Sequence, residues 1–152
     1  MFVNTIPGGP SEKIGIQAGD QLIKVDGDLV AGTGIKNNDV RKKLSISLNG
    51  IFVSAVHPQA ILAIDPKTIG VGTVIMAGVV VNPASQIGRH VILNTSSSID
   101  HECYIGDYVH ISPNATLCGN VVVGEGAHIG AGATVIQGIR IGQWATVGAG
   151  AV

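Results

Sequence analysis

Every sixth residue from Ile69 to Val147 is aliphatic without a gap, and this period predicts an all-β chain whose last two-thirds form a parallel β-helix. Six residues fit neither the helical repeat of about 3.6 nor the strand repeat of about 2. They fit a solenoid in which each hexad is one short strand plus one turn and buries its apolar face only against its neighbours. A second observation agrees: the residue four places after each aliphatic is no larger than Val, as at Thr73, Val79, Ser85, Cys103 and Ala127, with Ile139 the sole exception. The third is that Gly, Asn or Asp follows most of these aliphatics, as turns require.

Composition supports a narrow stacked core. Glycine is abundant at 22 residues and aromatics make up only 3%. The formal charge is −1, and the one basic cluster is Arg41-Lys42-Lys43. Binding to nucleic acid or to an anionic membrane through a basic face is therefore not expected. Cys103 falls on the small inward position of its hexad and reads as a buried thiol, while Cys118 sits at a corner. With no signal peptide, membrane-length apolar run or disulfide framework, the expected location is the cytoplasm.

The first 46 residues carry no hexads. Phe2 to Ile6 reads as a strand, Pro7-Gly8-Gly9-Pro10 as a turn, and Ser11 as the cap of a short helix over Glu12 to Ile16 that leaves through Ala18-Gly19-Asp20. Gln21 to Val25 alternates as a strand and enters the tight-turn pair Asp26-Gly27. Asn38 or Asp39 then starts a helix running to about Ser47. Gly50 to Val56 leads into His57-Pro58, where the repeat begins imperfectly with His57 and Ala63 at the repeat positions. From Ile69 it is regular. With three hexads to a coil, residues eighteen apart stack, as do Ile69, Ile87, Ile105, Val123 and Ile141. The expected division is residues 1–46 and 47–152.

Side chains pointing into such a prism are apolar, so working polar groups must face outward. Of the five histidines, His101 and His110 stand out through their neighbours, Asp100-His101-Glu102 and Asp107-Tyr108-Val109-His110. An adjacent carboxylate orients an imidazole and makes it a better general base. Nine residues are half a coil, so His101 and His110 lie on different sides of one prism and can share a site only if a second chain brings its own face alongside. A three-sided prism packs naturally as a three-fold homotrimer. Metal binding is the rival use, but the histidine gaps from His90 onward lack the close local pair that a three-imidazole zinc site of the γ-carbonic anhydrase kind needs. No metal is expected.

Two resemblances add to this reading. The run GGPSEKIGIQAGDQLIKVDGDLVAGTGIKNNDVRKKL, within residues 2–44, resembles part of the PDZ module of carboxy-terminal processing peptidases, without the segment that supplies that family's carboxylate loop and pairing strand. The order IDHEC…IGDYVHISP…LCGNVVVGEGAHIGAGA, within residues 56–152, resembles the sugar acetyltransferases of the sialic acid O-acetyltransferase and bacillosamine N-acetyltransferase type. That resemblance implies a left-handed β-helix and transfer of an acetyl group from acetyl-CoA to an amine or hydroxyl of a sugar or nucleotide-sugar. It implies His101 as general base, Glu102 as the carboxylate supporting it and His110 as a residue lining the acetyl-CoA site. Gly119 would offer a backbone N–H to the thioester oxygen, and Ala131 and Ala149 would line the path of the pantetheine arm. It also implies that this β-helix domain is truncated at its C-terminus and that the family's sugar-binding domain is replaced by the PDZ-like segment, which impairs sugar selectivity. The alternatives are a non-catalytic trimeric scaffold and a remnant peptide-binding module.

Overall fold

The computed structural model describes residues 21–25, 28–32, 38–47 and 52–152. The expected strand, turn and helix before residue 20 lie outside the described residues, and with them most of the PDZ-like run. Within that run, β1 (Gln21–Val25) pairs antiparallel with β2 (Asp28–Gly32), Val25 opposite Asp28. Helix α1 (Asn38–Ser47) follows, with Asp39 in its first turn, where a carboxylate complements the helix dipole.

The rest is a parallel β-helix of two-residue strands. Its first face stacks β3 (Ala55–Val56), β5 (Val74–Ile75), β8 (Ile92–Leu93), β11 (His110–Ile111), β14 (His128–Ile129) and β17 (Thr146–Val147). The second stacks β4 (Ile61–Leu62), β6 (Val80–Val81), β9 (Ser98–Ile99), β12 (Thr116–Leu117) and β15 (Thr134–Val135). The third stacks β7 (Gln86–Ile87), β10 (Tyr104–Ile105), β13 (Val122–Val123) and β16 (Arg140–Ile141). All pairings between coils are parallel, with repeat aliphatic on repeat aliphatic, for example Ile105 between Ile87 and Val123. The architecture is that of the left-handed β-helix of hexapeptide repeats.

The core is the prism interior. The repeat positions from Ile69 to Val135 are buried, and the small positions between them, such as Val91, Ala115 and Ala133, are fully enclosed. Burial of an Ile or Val side chain is worth about 1.5–3 kcal/mol, so the stack supplies the main stabilising term. Ile141 and Val147 are half-buried because they lie in the last coil and are covered on one side only.

The start of the repeat differs from expectation. Val56 pairs with Ile75 and Leu62 with Val81, so the repeat positions of the first coil are Val56 and Leu62 rather than His57 and Ala63. A 3-10 turn, Pro66–Thr68, capped by the Asp65 carboxylate accepting from Lys67 N–H, adds one residue to this coil. That residue displaces the register of everything before it.

From Gly72 onward, each corner turn places one residue in the left-handed region. Asn114 and Asn120 tolerate it, whereas Glu102 (φ 59°), Tyr108 (φ 60°) and Trp144 (φ 58°) adopt it at a cost of about 1–2 kcal/mol each. The coil-to-coil hydrogen bonds on either side hold them there, as in Glu102 N–H to Pro83 O at 3.1 Å.

Candidate active site

Three corner columns carry the polar side chains. Between the second and third faces, the turn Asp100–Cys103 presents His101 and Glu102, and one coil on Cys118–Val121 presents Gly119. His101 Nδ1 lies 3.0 Å from Glu102 Oε2. With Nδ1–H donating to the carboxylate, Nε2 keeps its lone pair. Both side chains are open to solvent, at 57% and 66% exposed, so the pair orients the ring more than it stabilises the fold. The Asp100 carboxylate accepts from His101 N–H at 2.8 Å and from Asn82 Nδ2 at 2.9 Å, and these two bonds hold its pKa below the usual carboxylate value.

The imidazole of His101 rests directly over Gly119. A methyl group at that position would come within 2.7 Å of both Cε1 and Nε2, so only glycine leaves room for the ring. The two turns are also tied by Asn120 N–H donating to His101 O at 2.9 Å. The Gly119 N–H bonds to no other described residue.

Between the first and second faces runs a shallow, mainly apolar groove of about 350 Å³, bordered by Ser112, Pro113, His128, Ala131, Thr146 and Ala149. Ala131 and Ala149 stack one coil apart, joined by Gly150 N–H donating to Ala131 O at 2.9 Å. Ala131 and Ala149 lie on a different corner from His101.

His110 does not lie on the groove surface. It projects from the outer side of the first face but is only 2% exposed, with Nε2 facing Asn94 Nδ2 at 3.2 Å and its ring stacked on His128 at 5.0 Å. His128 in turn meets Ser112 Oγ at 2.8 Å and borders the groove. Asn94 and Ser112 were missed in the sequence. Their signal is a spacing of sixteen, which sets the residue after one repeat aliphatic beside the residue before the next one in the stack.

Helix α1 occupies the third corner. Arg41, fully buried, donates from Nε to His90 O at 3.1 Å and from Nη2 to Tyr108 O, while Asn38 Nδ2 donates to Gly126 O at 2.8 Å. Ser45 Oγ meets Tyr108 OH at 2.8 Å, and the Tyr108 ring stacks in parallel on His90 at 5.2 Å. Burial lowers the Arg41 pKa to about 10, and the cation remains charged at neutral pH.

Burial, reinforced by Arg41, pushes His110 down to about 3, and burial with Arg89 and Arg41 pushes His90 down to about 4. Both are neutral when folded, whereas in the unfolded chain they titrate near 6.5. The unfolded state therefore binds more protons as pH falls below about 6.5, and stability falls with it, by up to about 1.4 kcal/mol per pH unit per histidine until each folded value is reached. The melting temperature is expected to drop between pH 7.5 and 5, before the carboxylates titrate, and to drop less in His110→Gln. Equal melting at both pH values would show that these rings do not titrate as described.

Among the described residues no three His, Cys, Asp or Glu side chains converge as a metal site would require, and no helix is long and apolar enough to cross a membrane.

Comparison with known proteins places this geometry. Residues 102–137 match the bacterial transferase hexapeptide family (six repeats). The chain is similar to a mutant of perosamine N-acetyltransferase from Caulobacter crescentus solved with CoA and GDP-perosamine: 40% identity, TM-score 0.72, 76% of this chain and 56% of that one. It is also similar to the acetyltransferase domain of PglB from Neisseria gonorrhoeae solved with acetyl coenzyme A: 38% identity, TM-score 0.71, 78% of this chain and 58% of that one. WeeI from Acinetobacter baumannii is 28% identical over 98% of this chain and 72% of its own, with a TM-score of 0.73. The chain thus spans less than three-fifths of the first two proteins.

Proposed function

We propose that this chain transfers the acetyl group of acetyl-CoA to an amine or hydroxyl of a sugar or nucleotide-sugar, with His101 as general base and a homotrimer as the working assembly. The observation that carries the reading is the division of the site between corners. His101, paired with Glu102 and seated over Gly119, stands between the second and third faces, while the groove along Ala131 and Ala149 stands between the first and second. One chain cannot bring these together. A neighbouring copy can. Support for the substrates comes from the two acetyltransferases, one solved with CoA and GDP-perosamine and the other with acetyl coenzyme A. The N-acetyltransferase among them favours an amine acceptor.

The groove fits an extended pantetheine arm because Ala131 and Ala149 leave its floor low, and because its lining is mostly apolar. His110 contributes from behind the wall, holding the His128–Ser112 pair by stacking. At the reacting end, His101 Nε2 accepts the proton that the acceptor amine or hydroxyl gives up as it attacks the thioester carbonyl. Gly119 N–H donates to the oxygen on which negative charge develops, and the CoA thiol leaves with a proton. Glu102 holds the ring tautomer that keeps Nε2 free. Residues 1–46 enter the reading as a PDZ-like attachment, of which α1 is bonded to the prism through Asn38 and Arg41, and the cytoplasm is the expected location.

Titration with acetyl-CoA tests the proposal. The wild-type chain should bind acetyl-CoA and sediment as a trimer at micromolar concentration, and Ala131→Trp, which fills the groove, should abolish binding without changing the sedimentation. A monomer that binds acetyl-CoA at full strength, or undiminished binding by Ala131→Trp, would contradict it. A second expectation concerns Gly119→Ala. Its backbone is not in the left-handed region, so the fold should persist, but the new methyl displaces the His101 ring. Misplacement on this scale costs roughly tenfold to a hundredfold in kcat, and steady-state kinetics beside an unchanged circular dichroism spectrum would show it.

A further inference from the structure

Seven of the fourteen hexad turns from Gly70 to Ala151 close on themselves. The N–H of the fourth residue donates to the carbonyl of the first, as in Ala115 to Ser112, Ala127 to Gly124 and Ala133 to Gly130. The turn that carries His101 and Glu102 does not, and neither do the turns 82–85, 118–121 and 136–139 of the same column, but here a side chain takes up the two free backbone groups. There the hydroxyl of Ser85, pointing inward from the coil before, is inserted into the turn: Ser85 Oγ accepts from Cys103 N–H at 3.1 Å and donates to Asp100 O at 2.7 Å. The residue is 5% exposed, so no water competes for either bond.

A serine in this position does not open its turn automatically. Ser97, at the equivalent inward position of the neighbouring corner, leaves its Oγ unpartnered among the described residues, and the turn above it keeps the direct Ala115 to Ser112 bond. The insertion also continues along the same column. Cys103 Sγ donates to Cys118 O at 3.2 Å, at the first residue of the turn that presents Gly119. Burial pushes the Cys103 thiol pKa up, which keeps it a neutral donor.

We infer that Ser85 is a positioning residue that, from inside the prism, bridges the turn bearing His101 and Glu102 and so fixes where the imidazole stands over Gly119. This rests on the functional reading above for its effect on rate, though not for its effect on the ring. With Ser85→Ala, an inward alanine like Ala115, the turn loses both bonds that tie Asp100 O to Cys103 N–H. Alanine is already housed at that kind of site, so the fold is retained. His101 moves, and the groove does not.

Thr73 supplies the internal control. Its Oγ1 makes the same insertion at another corner, accepting from Val91 N–H at 3.1 Å and donating to Gly88 O at 2.9 Å, around the turn Arg89–His90. It also shows that threonine can do what Ser85 does. The expected result is a kcat lowered roughly tenfold to a hundredfold in Ser85→Ala, with the KM for acetyl-CoA within about twofold, recovery in Ser85→Thr, and unchanged kcat in Thr73→Ala. Wild-type kcat in Ser85→Ala, or equal losses in Ser85→Ala and Thr73→Ala, would overturn the inference. The NMR resonance of the His101 Cε1–H gives a readout that needs no turnover. It should shift in Ser85→Ala, return in Ser85→Thr and stay in place in Thr73→Ala. If the wild-type chain transfers no acetyl group, the functional reading fails and this resonance alone decides: a shift specific to Ser85→Ala upholds the clamp, and no shift refutes it.

Discussion

Replacing His101 by alanine is expected to lower kcat by about a hundredfold or more and to leave the affinity for acetyl-CoA nearly unchanged. The argument is geometric. Glu102 takes the Nδ1 side of the ring at 3.0 Å, which frees Nε2, and Nε2 stands over the Gly119 backbone beside an N–H that no described residue uses. The groove along Ala131 and Ala149 lies on another corner, and neither His101 nor Glu102 lines it. On the proposed mechanism, the substitution removes an interaction made as the acceptor loses its proton and spares the groove proposed to hold acetyl-CoA. Glu102→Gln should cost less, since an amide still accepts from Nδ1–H. Because both side chains are exposed, neither change should alter the melting temperature. Equal kcat in His101→Ala and wild type would remove His101 from the chemistry, and a parallel loss of acetyl-CoA binding would make it a binding residue instead.

The largest effect on stability is expected at Ile111. Its side chain is fully buried, stacked between Leu93 and Ile129 in the middle of the prism. Ile111→Asp places a carboxylate where no partner can reach it, which costs several kcal/mol in addition to the lost apolar burial. Against a typical total stability of about 5–15 kcal/mol, that is enough to prevent folding. Ile111→Val, which only trims a methyl group, should cost about 0.5–1.5 kcal/mol and retain the native circular dichroism spectrum. A native-like melting transition in Ile111→Asp would mean that the repeat positions do not form the core.

The prism was legible because a six-residue period leaves only one way to hide its apolar face, and the aliphatic at every repeat position from Ile69 to Val135 is buried. Its first coil was not. Asp65 to Thr68 reads as an ordinary loop, and only the pairing of Val56 with Ile75 reveals the extra residue. Arg41 reads as one of three surface cations beside Lys42 and Lys43. No local pattern says that this cation points inward onto the His90 and Tyr108 carbonyls while its neighbours stay partly or fully exposed. His110 was noticed for its neighbour Asp107, yet that carboxylate pairs with Arg89 at the corner, and the ring meets Asn94 and His128 instead. The seat of His101 over Gly119 is an eighteen-residue relation, visible in the sequence once the coil length is known. The Ser85 insertion is not visible there, because Ser97 carries the same hydroxyl at the same register and does nothing comparable.

Release of the CoA thiol from acetyl-CoA by the unmodified chain, followed with and without a nucleotide-linked amino sugar such as GDP-perosamine, tests the central claim most directly. Acceptor-dependent release, with one acetylated sugar formed per thiol, is the expected result. No release under any acceptor, or release that proceeds equally without one, would contradict an acetyltransfer site built on His101.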